Sequence, residues 1–551
     1  VVHYLSMRKL VLRLLLAVAL LSSNFASASA YDARPKLIVI LVLDQFRPDF
    51  LERNRASFGA DGFALFLDRG AYFADCRYDY AATHTGPGYA TLLTGAYVDG
   101  HGILGNAWYD AERKRPVLAE SDDSTILLGV SGKKPGGSPH RLRATTLGDE
   151  LKLATEGKAR VFSVSLKPRA AILQGGRAAD AAYWTDRDDG AWLSSSFYMN
   201  LLPGWVEDFN HAGRAAKYWD LEWKDASGTV LGTTKPRPKG DFYHIIGGTP
   251  YGTDYQLEFT RELIAREKLG TGSATDLLIL GVSATDILGH EVAHDSPRMN
   301  AMIQRLDRQL AEFFGFLGRQ IGLANVWMAL SADHGISPLP ENANKLRLPG
   351  EHFDAAKLRR QLNAQLTEKL SPGKPRDYVP SLDWPVAYLS AEAFSAAELK
   401  QADAERTVGE LLVKSGRWRS FYTRSQIESG QLPPDSMSRR YAHSSSARGG
   451  WHVLGVPALY DVAQTEGTDH HSPYSYDTHV PLAFFGLPFR PGKYYTAAEP
   501  VDMVATLSVL LGIPKPSHSV GRVLHEALAP QRGEVPLAEV PPQAATQASS
   551  K

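Results

Sequence analysis

Five stretches of the chain are apolar at almost every position: residues 36–43, 161–166, 277–282, 326–330 and 480–485. Short unbroken apolar runs bounded by polar, Gly or Pro positions predict strands buried on both faces of a sheet. Between them, residues 144–154, 299–317 and 502–511 carry apolar side chains at the spacing of one buried helix face. This alternation predicts an α/β fold: a three-layer αβα core around a largely parallel central sheet. Two segments break the pattern. Residues 174–260 and 338–465 are richer in aromatics, Gly and Pro and are read as inserted cap segments.

These elements fit one domain over residues 31–529. Before it, Met7-Arg8-Lys9, an apolar run over 10–21 broken by Arg13, and Ala28-Ser29-Ala30 read as a signal peptide over 1–30, so the mature protein is expected in the periplasm or secreted. No later run is long and apolar enough to span a bilayer. Residues 530–551 are rich in Pro, Ala and Gln and are read as a disordered tail. With 60 basic against 60 acidic residues, the chain carries no excess of positive charge for binding nucleic acid. Cys76 is the only cysteine, so export brings no intramolecular disulfide, and stability must come from the core and bound metal.

The ends of the predicted strands carry the chemistry. Asp44 follows the first strand, Asp286 and His290 follow the third, and Asp333-His334 follows the fourth. His470-His471 lies late in the chain. Neither pair is decisive alone, since an Asp-His-Gly is also a common turn. Three carboxylates with three imidazoles are enough for two zinc ions that keep open positions, and the mixed oxygen and nitrogen set suits zinc better than magnesium. Thr85, in Thr83-His84-Thr85-Gly86-Pro87-Gly88, precedes the apolar run 89–93 that opens a helix. A threonine there is an N-cap or, beside metal, an activated nucleophile at a helix N-terminus.

Asp44, Thr85-Gly-Pro-Gly-Tyr89, His101-Gly-Ile-Leu-Gly-Asn106, Lys167-Pro-Arg169, Asp286-Ile-Leu-Gly-His290 and Asp333-His334-Gly335 resemble, in order, the motifs of the alkaline phosphatase superfamily. The similarity is greatest to the bacterial phosphate-irrepressible enzymes, which use a threonine nucleophile. The resemblance implies that Asp286, His290 and a late histidine hold one zinc, that Asp44, Asp333 and His334 hold the second, and that Thr85 attacks phosphorus from the metal site. Laid over the family pattern Gly-Thr-x-His-Gly-Ser-Pro-Tyr, residues 467–474 make His470 the ligand and put His471 where the pattern has glycine. His479 is a further candidate, ranked last.

Charge separates the substrate classes. Two divalent cations supply four positive charges, and three carboxylates with a Thr85 alkoxide supply four negative ones. A phosphate dianion therefore needs more cations. Lys167 and Arg169, expected on one side of the chain leaving the strand 161–166, supply two, and Asn106 can donate to another oxygen. The set fits small-molecule phosphate monoesters, hydrolysed through a covalent phosphothreonine. The alternatives are a nucleotide pyrophosphatase or phosphodiesterase with the same metals and nucleophile, and a phosphate-ligand binding protein without turnover. A sulfatase is disfavoured because no Cys-x-Pro-x-Arg segment is present.

Overall fold

The computed structural model describes residues 34–529 apart from 239 and 293, so the expected signal peptide and tail lie outside the described residues. In chain order the strands of its main sheet are β1 (Leu37–Leu43), β2 (Ala71–Arg77), β3 (Ser121–Leu128), β4 (Pro135–Gly137), β5 (Val161–Ser165) and β6 (Ala181–Thr185). They continue as β7 (Trp192–Ser195), β8 (Asp276–Val282), β9 (Val326–Ser331), β10 (His479–Phe485) and β11 (Gly492–Tyr494). Across the sheet the order is β11-β2-β10-β9-β1-β8-β5-β6-β7-β3-β4. The five central strands, β9 to β6, pair in parallel. Antiparallel strands extend both sides of this parallel heart. Every residue of β1, β5, β8 and β9 is buried, as the unbroken apolar runs require.

Helices cover both faces. The ones that matter for the site are α1 (Thr85–Thr94), α2 (Leu147–Ala154), α3 (Pro168–Gly175), α4 (Pro250–Arg266), α5 (Pro297–Gln320) and α6 (Asp502–Leu511). Helix α1 packs with α2, α3 and α6, while α4 packs with α5. Local chemistry sets their starts. Helix α2 begins at Leu147 rather than 144 because Thr146 and Asp149 form a reciprocal capping box. Helix α5 begins at Pro297 because Ser296 accepts from the Met299 N–H and proline fits the first helical position.

The two expected cap segments behave differently. Residues 174–260 do not stand apart from the core: they supply β6, β7 and much of α4. Their aromatics are core side chains, with Trp192 stacked on Phe259 at 4.0 Å and Tyr183 edge-on to Phe259 at 5.3 Å. Aromatic density there reflects packing on the sheet rather than an accessory surface. Residues 338–465 fold around their own four-stranded antiparallel sheet, ordered Ser381–Asp383, Val386–Tyr388, His452–Pro457, Trp418–Thr423. Trp384, Phe394 and Trp418 centre that layer. Val386, Tyr388 and Leu454 reach beyond it to pack on Ile103, Leu104 and Trp108, which flank Asn106.

Candidate active site

The topology brings the chemistry together before any side chain is considered. Asp333, Asp44, Asp286 and Lys167 follow β9, β1, β8 and β5, four adjacent parallel strands, and so emerge side by side at one edge of the sheet. Two groups of metal-ligating residues result: Asp286, His290 and His470, and Asp44, Asp333 and His334, with the ligand atoms of each group within 4.8 Å of one another. Ligands bound tetrahedrally at ~2.0–2.1 Å lie ~3.3–3.4 Å apart. Asp286 Oδ1 and His290 Nε2 are 3.3 Å apart, and Asp333 Oδ2 and His334 Nε2 3.4 Å. The wider pairs, His334 Nε2 to Asp44 Oδ1 at 3.8 Å and His470 Nε2 to Asp286 Oδ1 at 3.9 Å, need only small closure.

Hydrogen bonds orient each imidazole for ligation. The Nδ1 of His290 donates to Thr468 O at 3.0 Å, that of His334 to Gly335 O at 2.9 Å, and that of His470 to Thr83 O at 2.5 Å. In all three rings Nε2 is thereby left facing the carboxylates, the arrangement that fixes a metal-binding tautomer. The carboxylates themselves are unbalanced. Asp44 Oδ1 and Asp333 Oδ2 are buried with no hydrogen-bond partner among the described residues. Lys167 Nζ lies 2.6 Å from Asp44 Oδ2 as an ion pair, and it also contacts Asp286 Oδ2. Two like charges ~4 Å apart repel by about 4 kcal/mol at an effective dielectric of ~20, so one ammonium cannot offset three carboxylates. Burial, with Asp286 nearby, pushes the Asp44 carboxyl up to about 6 and, with Asp44, raises Asp333 well above the usual range. The donor set, its spacing and its excess negative charge fit divalent cations.

Thr85 is the first residue of α1, after His84 in extended backbone, and is 2% exposed. Its Oγ1 is 3.4 Å from His334 Nε2. The close seating of α1 depends on Gly88, where a Cβ would lie 2.4 Å from Asp333 O. Asn106 Oδ1 accepts from the Gly86 N–H at 2.8 Å, tying the Asn106 loop to the first turn of α1. Lys167 and Arg169 do not continue a strand as expected. Pro168 starts α3, so Lys167 becomes its N-cap and Arg169 lies in its first turn. Lys167 turns inward to the carboxylates, whereas Arg169 Nε is buried with no partner among the described residues.

The late histidines separate cleanly. His470 Nε2 falls in the first group of ligands; His471 instead stacks on His84, ring centroids 3.8 Å apart, and lies beside Asp469. His471 has φ 96°, a conformation that favours the glycine of the family pattern. His479, the last-ranked candidate, is excluded: its Nε2 bonds Ala74 O at 2.9 Å and it joins neither group. Sequence reasoning missed Gln45. Its N–H donates to Asp333 Oδ1 and its Nε2 to Asp286 Oδ1, both at 3.0 Å, so one residue ties the two groups together. It does so from φ 60°, with Gly289 leaving room for its amide. The cue was its place immediately after Asp44; the left-handed turn that aims it is not visible in a residue type.

Comparison with known proteins bears on this centre. The family model described as type I phosphodiesterase / nucleotide pyrophosphatase matches residues 38–429. The chain is 31% identical to alkaline phosphatase PhoV of Synechococcus elongatus, over 90% of this chain and 93% of that protein. It is 30% identical to alkaline phosphatase PafA of Elizabethkingia meningoseptica, over 90% and 95%. The crystal structure of wild-type PafA superposes with a TM-score of 0.82 at 29% identity, covering 90% of this chain and 99% of that one. By family match, whole-length similarity and fold, the chain belongs to the type I phosphodiesterase / nucleotide pyrophosphatase family and, within the alkaline phosphatase superfamily, to its PafA-like members.

Proposed function

We propose that this protein is an alkaline phosphatase: it hydrolyses phosphate monoesters with Thr85 as nucleophile and releases inorganic phosphate. The observation that carries the reading is the buried Thr85 hydroxyl at the first turn of α1, 3.4 Å from His334 Nε2 and beside two groups of buried carboxylates and imidazoles. Asp286, His290 and His470 would hold one zinc ion and Asp44, Asp333 and His334 the other, with Thr85 Oγ1 available to it. Such cations supply Lewis acidity and lower the pKa of a hydroxyl or water.

Thr85 Oγ gives up its proton to solvent and attacks phosphorus in line, the P–O bond to the leaving group breaks and the departing alkoxide is protonated to the alcohol, leaving a phosphothreonine; a water then attacks from the vacated side, breaks the Thr85 Oγ–P bond and releases inorganic phosphate with the Thr85 hydroxyl restored. The N-terminus of α1 faces the developing charge. Arg169 and Asn106 hold equatorial oxygens, where transition-state charge spreads, and Lys167 shares its ammonium between the carboxylates and the incoming phosphoryl group. Two inversions give net retention at phosphorus. The predicted signal peptide supports a periplasmic or secreted setting. Among the described residues no helix is long and apolar enough to cross a membrane.

The family also contains phosphodiesterases, and the cation count decides between them. Arg169 Nε, beside the site and without a partner among the described residues, suits a dianion, which offers one more anionic oxygen than a diester. The test compares p-nitrophenyl phosphate with its methyl ester on one preparation. The monoester is expected to be the better substrate, and Arg169→Ala to lower its kcat/KM by ~10²–10³-fold with a smaller effect on the diester. A diester preference, with the monoester rate untouched by Arg169→Ala, would establish the phosphodiesterase reading instead.

A further inference from the structure

Arginine gathers at a seam of the molecule that the proposed chemistry does not use. The segment 138–143 joins β4 to α2 and carries Arg141 and Arg143. Two consecutive carbonyls of that segment are taken by arginines from elsewhere: Arg448 Nη1 donates to Arg141 O, and Arg177 Nη2 to Leu142 O. Arg141 Nη1 itself donates to Ser121 O, and the Arg143 side chain lies over Gly102, where a Cβ would be 2.8 Å from its Cδ. Four guanidinium groups therefore converge on one short segment. None of the four pairs with a carboxylate among the described residues, whereas the neighbouring Arg113 and Arg115 share Asp123, and His140 faces Asp122. Asp110, the nearest remaining acid, already accepts from the N–H groups of Glu112 and Arg113.

A guanidinium has five N–H donors, and backbone carbonyls use only a few of those available here while leaving the charge uncompensated. Burial, with Arg143, Arg141 and Arg177 close by, holds Arg448 below its ordinary value, and burial with Arg113 does the same to Arg141. The cluster opens into a cavity of about 500 Å³ lined by Arg113, His140, Arg141 and Arg448 and walled by Trp108. That volume is within the ~300–1,000 Å³ of small-molecule sites. Arg141 is only 7% exposed, and its guanidinium lies 5.9 Å from the Trp108 ring centroid. Arg448 comes from the layer formed by 338–465 and the other three from the core, so the cavity sits where the two meet.

We propose that this cavity is an oxyanion site, with none of the catalytic residues in its walls, that takes a phosphate group between Arg141 and Arg448. Guanidinium forks match phosphate oxygens in pairs, and a bound anion offsets the charge that no carboxylate of the cluster offsets. The same chemistry has two sources: inorganic phosphate, and the second phosphoryl group of a bisphosphate whose first is being hydrolysed. The site stands on the arginines alone and does not depend on the Thr85 chemistry.

The experiment titrates zinc-loaded, full-length protein with inorganic phosphate by calorimetry. Wild type is expected to bind two equivalents, of which one competes with p-nitrophenyl phosphate. Arg448→Gln is expected to keep the competing equivalent and an unchanged kcat while losing the other. Wild-type crystals soaked in tungstate, an electron-dense stand-in for phosphate, should show an ion touching Arg141 and Arg448, which keeps the test independent of how the variant folds. The KM values of fructose 1,6-bisphosphate and fructose 6-phosphate tell the sources apart. A bisphosphate KM about tenfold lower, with the advantage lost in Arg448→Gln, identifies a substrate group; equal KM values with the second equivalent present identify free phosphate. A single equivalent in wild type, or tungstate absent from the arginines, overturns the oxyanion site and leaves the proposed function standing. Loss of the competing equivalent alone would count against the proposed function and not against this site.

Discussion

At the scale of single residues, the centre is a set of charges that the protein alone does not neutralise. Gln45 is the residue whose removal separates orientation from charge, because it donates to Asp333 and Asp286 without altering the net charge of the site. Gln45→Ala is expected to weaken zinc binding by ~10–100-fold, with kcat recovering at saturating zinc. A competition titration against a chelating dye checks the first half, and activity in excess zinc the second. Protons report on the same site. Although burial opposes it, Asp286 lifts the His290 imidazole to about 9. Protonated His290 thus stabilises the metal-free fold below its unfolded value of ~6.5, a contribution lost as pH rises through about 9. A metal ligand must be neutral, so zinc affinity should rise about tenfold per pH unit from neutrality towards 9, with one proton released per zinc from this residue. A pH-independent affinity over that range would show instead that His290 is already neutral at pH 7 in the metal-free protein.

At the scale of elements, the site exists because four parallel strands end in adjacent positions and one helix is pressed against them. The strands were legible. Runs such as 36–43 and 277–282 are apolar on both faces only if both faces are covered, and they fold as β1 and β8. Strand β3 was not legible, since Ser121–Leu128 is largely polar and partly exposed at the antiparallel side of the sheet. Nor was the role of 174–260, whose aromatics fill the core instead of decorating a cap. The approach of α1 hangs on one hydrogen atom. In Gly88→Ala the new Cβ meets Asp333 O at 2.4 Å, so the helix must move; about 1–3 kcal/mol of stability should be lost by denaturant titration, together with most turnover. Thr146→Ala, which removes the cap of α2 far from the chemistry, should cost about 1 kcal/mol and leave kcat unchanged. The pair shows whether turnover tracks helix position or merely stability.

At the scale of the whole molecule, the candidate site was legible as residue types and incomplete as geometry. Asp44, Asp286, His290, Asp333, His334 and His470 converge because each sits at a strand end or on the late loop beside it. What could not be read were the contacts that depend on backbone shape: the left-handed turns at Gln45 and His471 and the close approaches at Gly88 and Gly289. The layer formed by 338–465 packs on the segment carrying Asn106. Turnover by this centre requires Thr85 to carry the phosphoryl group. The most direct test is acid quenching of the zinc-loaded protein during monoester turnover, followed by peptide mass spectrometry. Phosphate on Thr85, and both label and turnover lost in Thr85→Ala, is the expected result; an unmodified Thr85 with turnover undiminished in Thr85→Ala would contradict it.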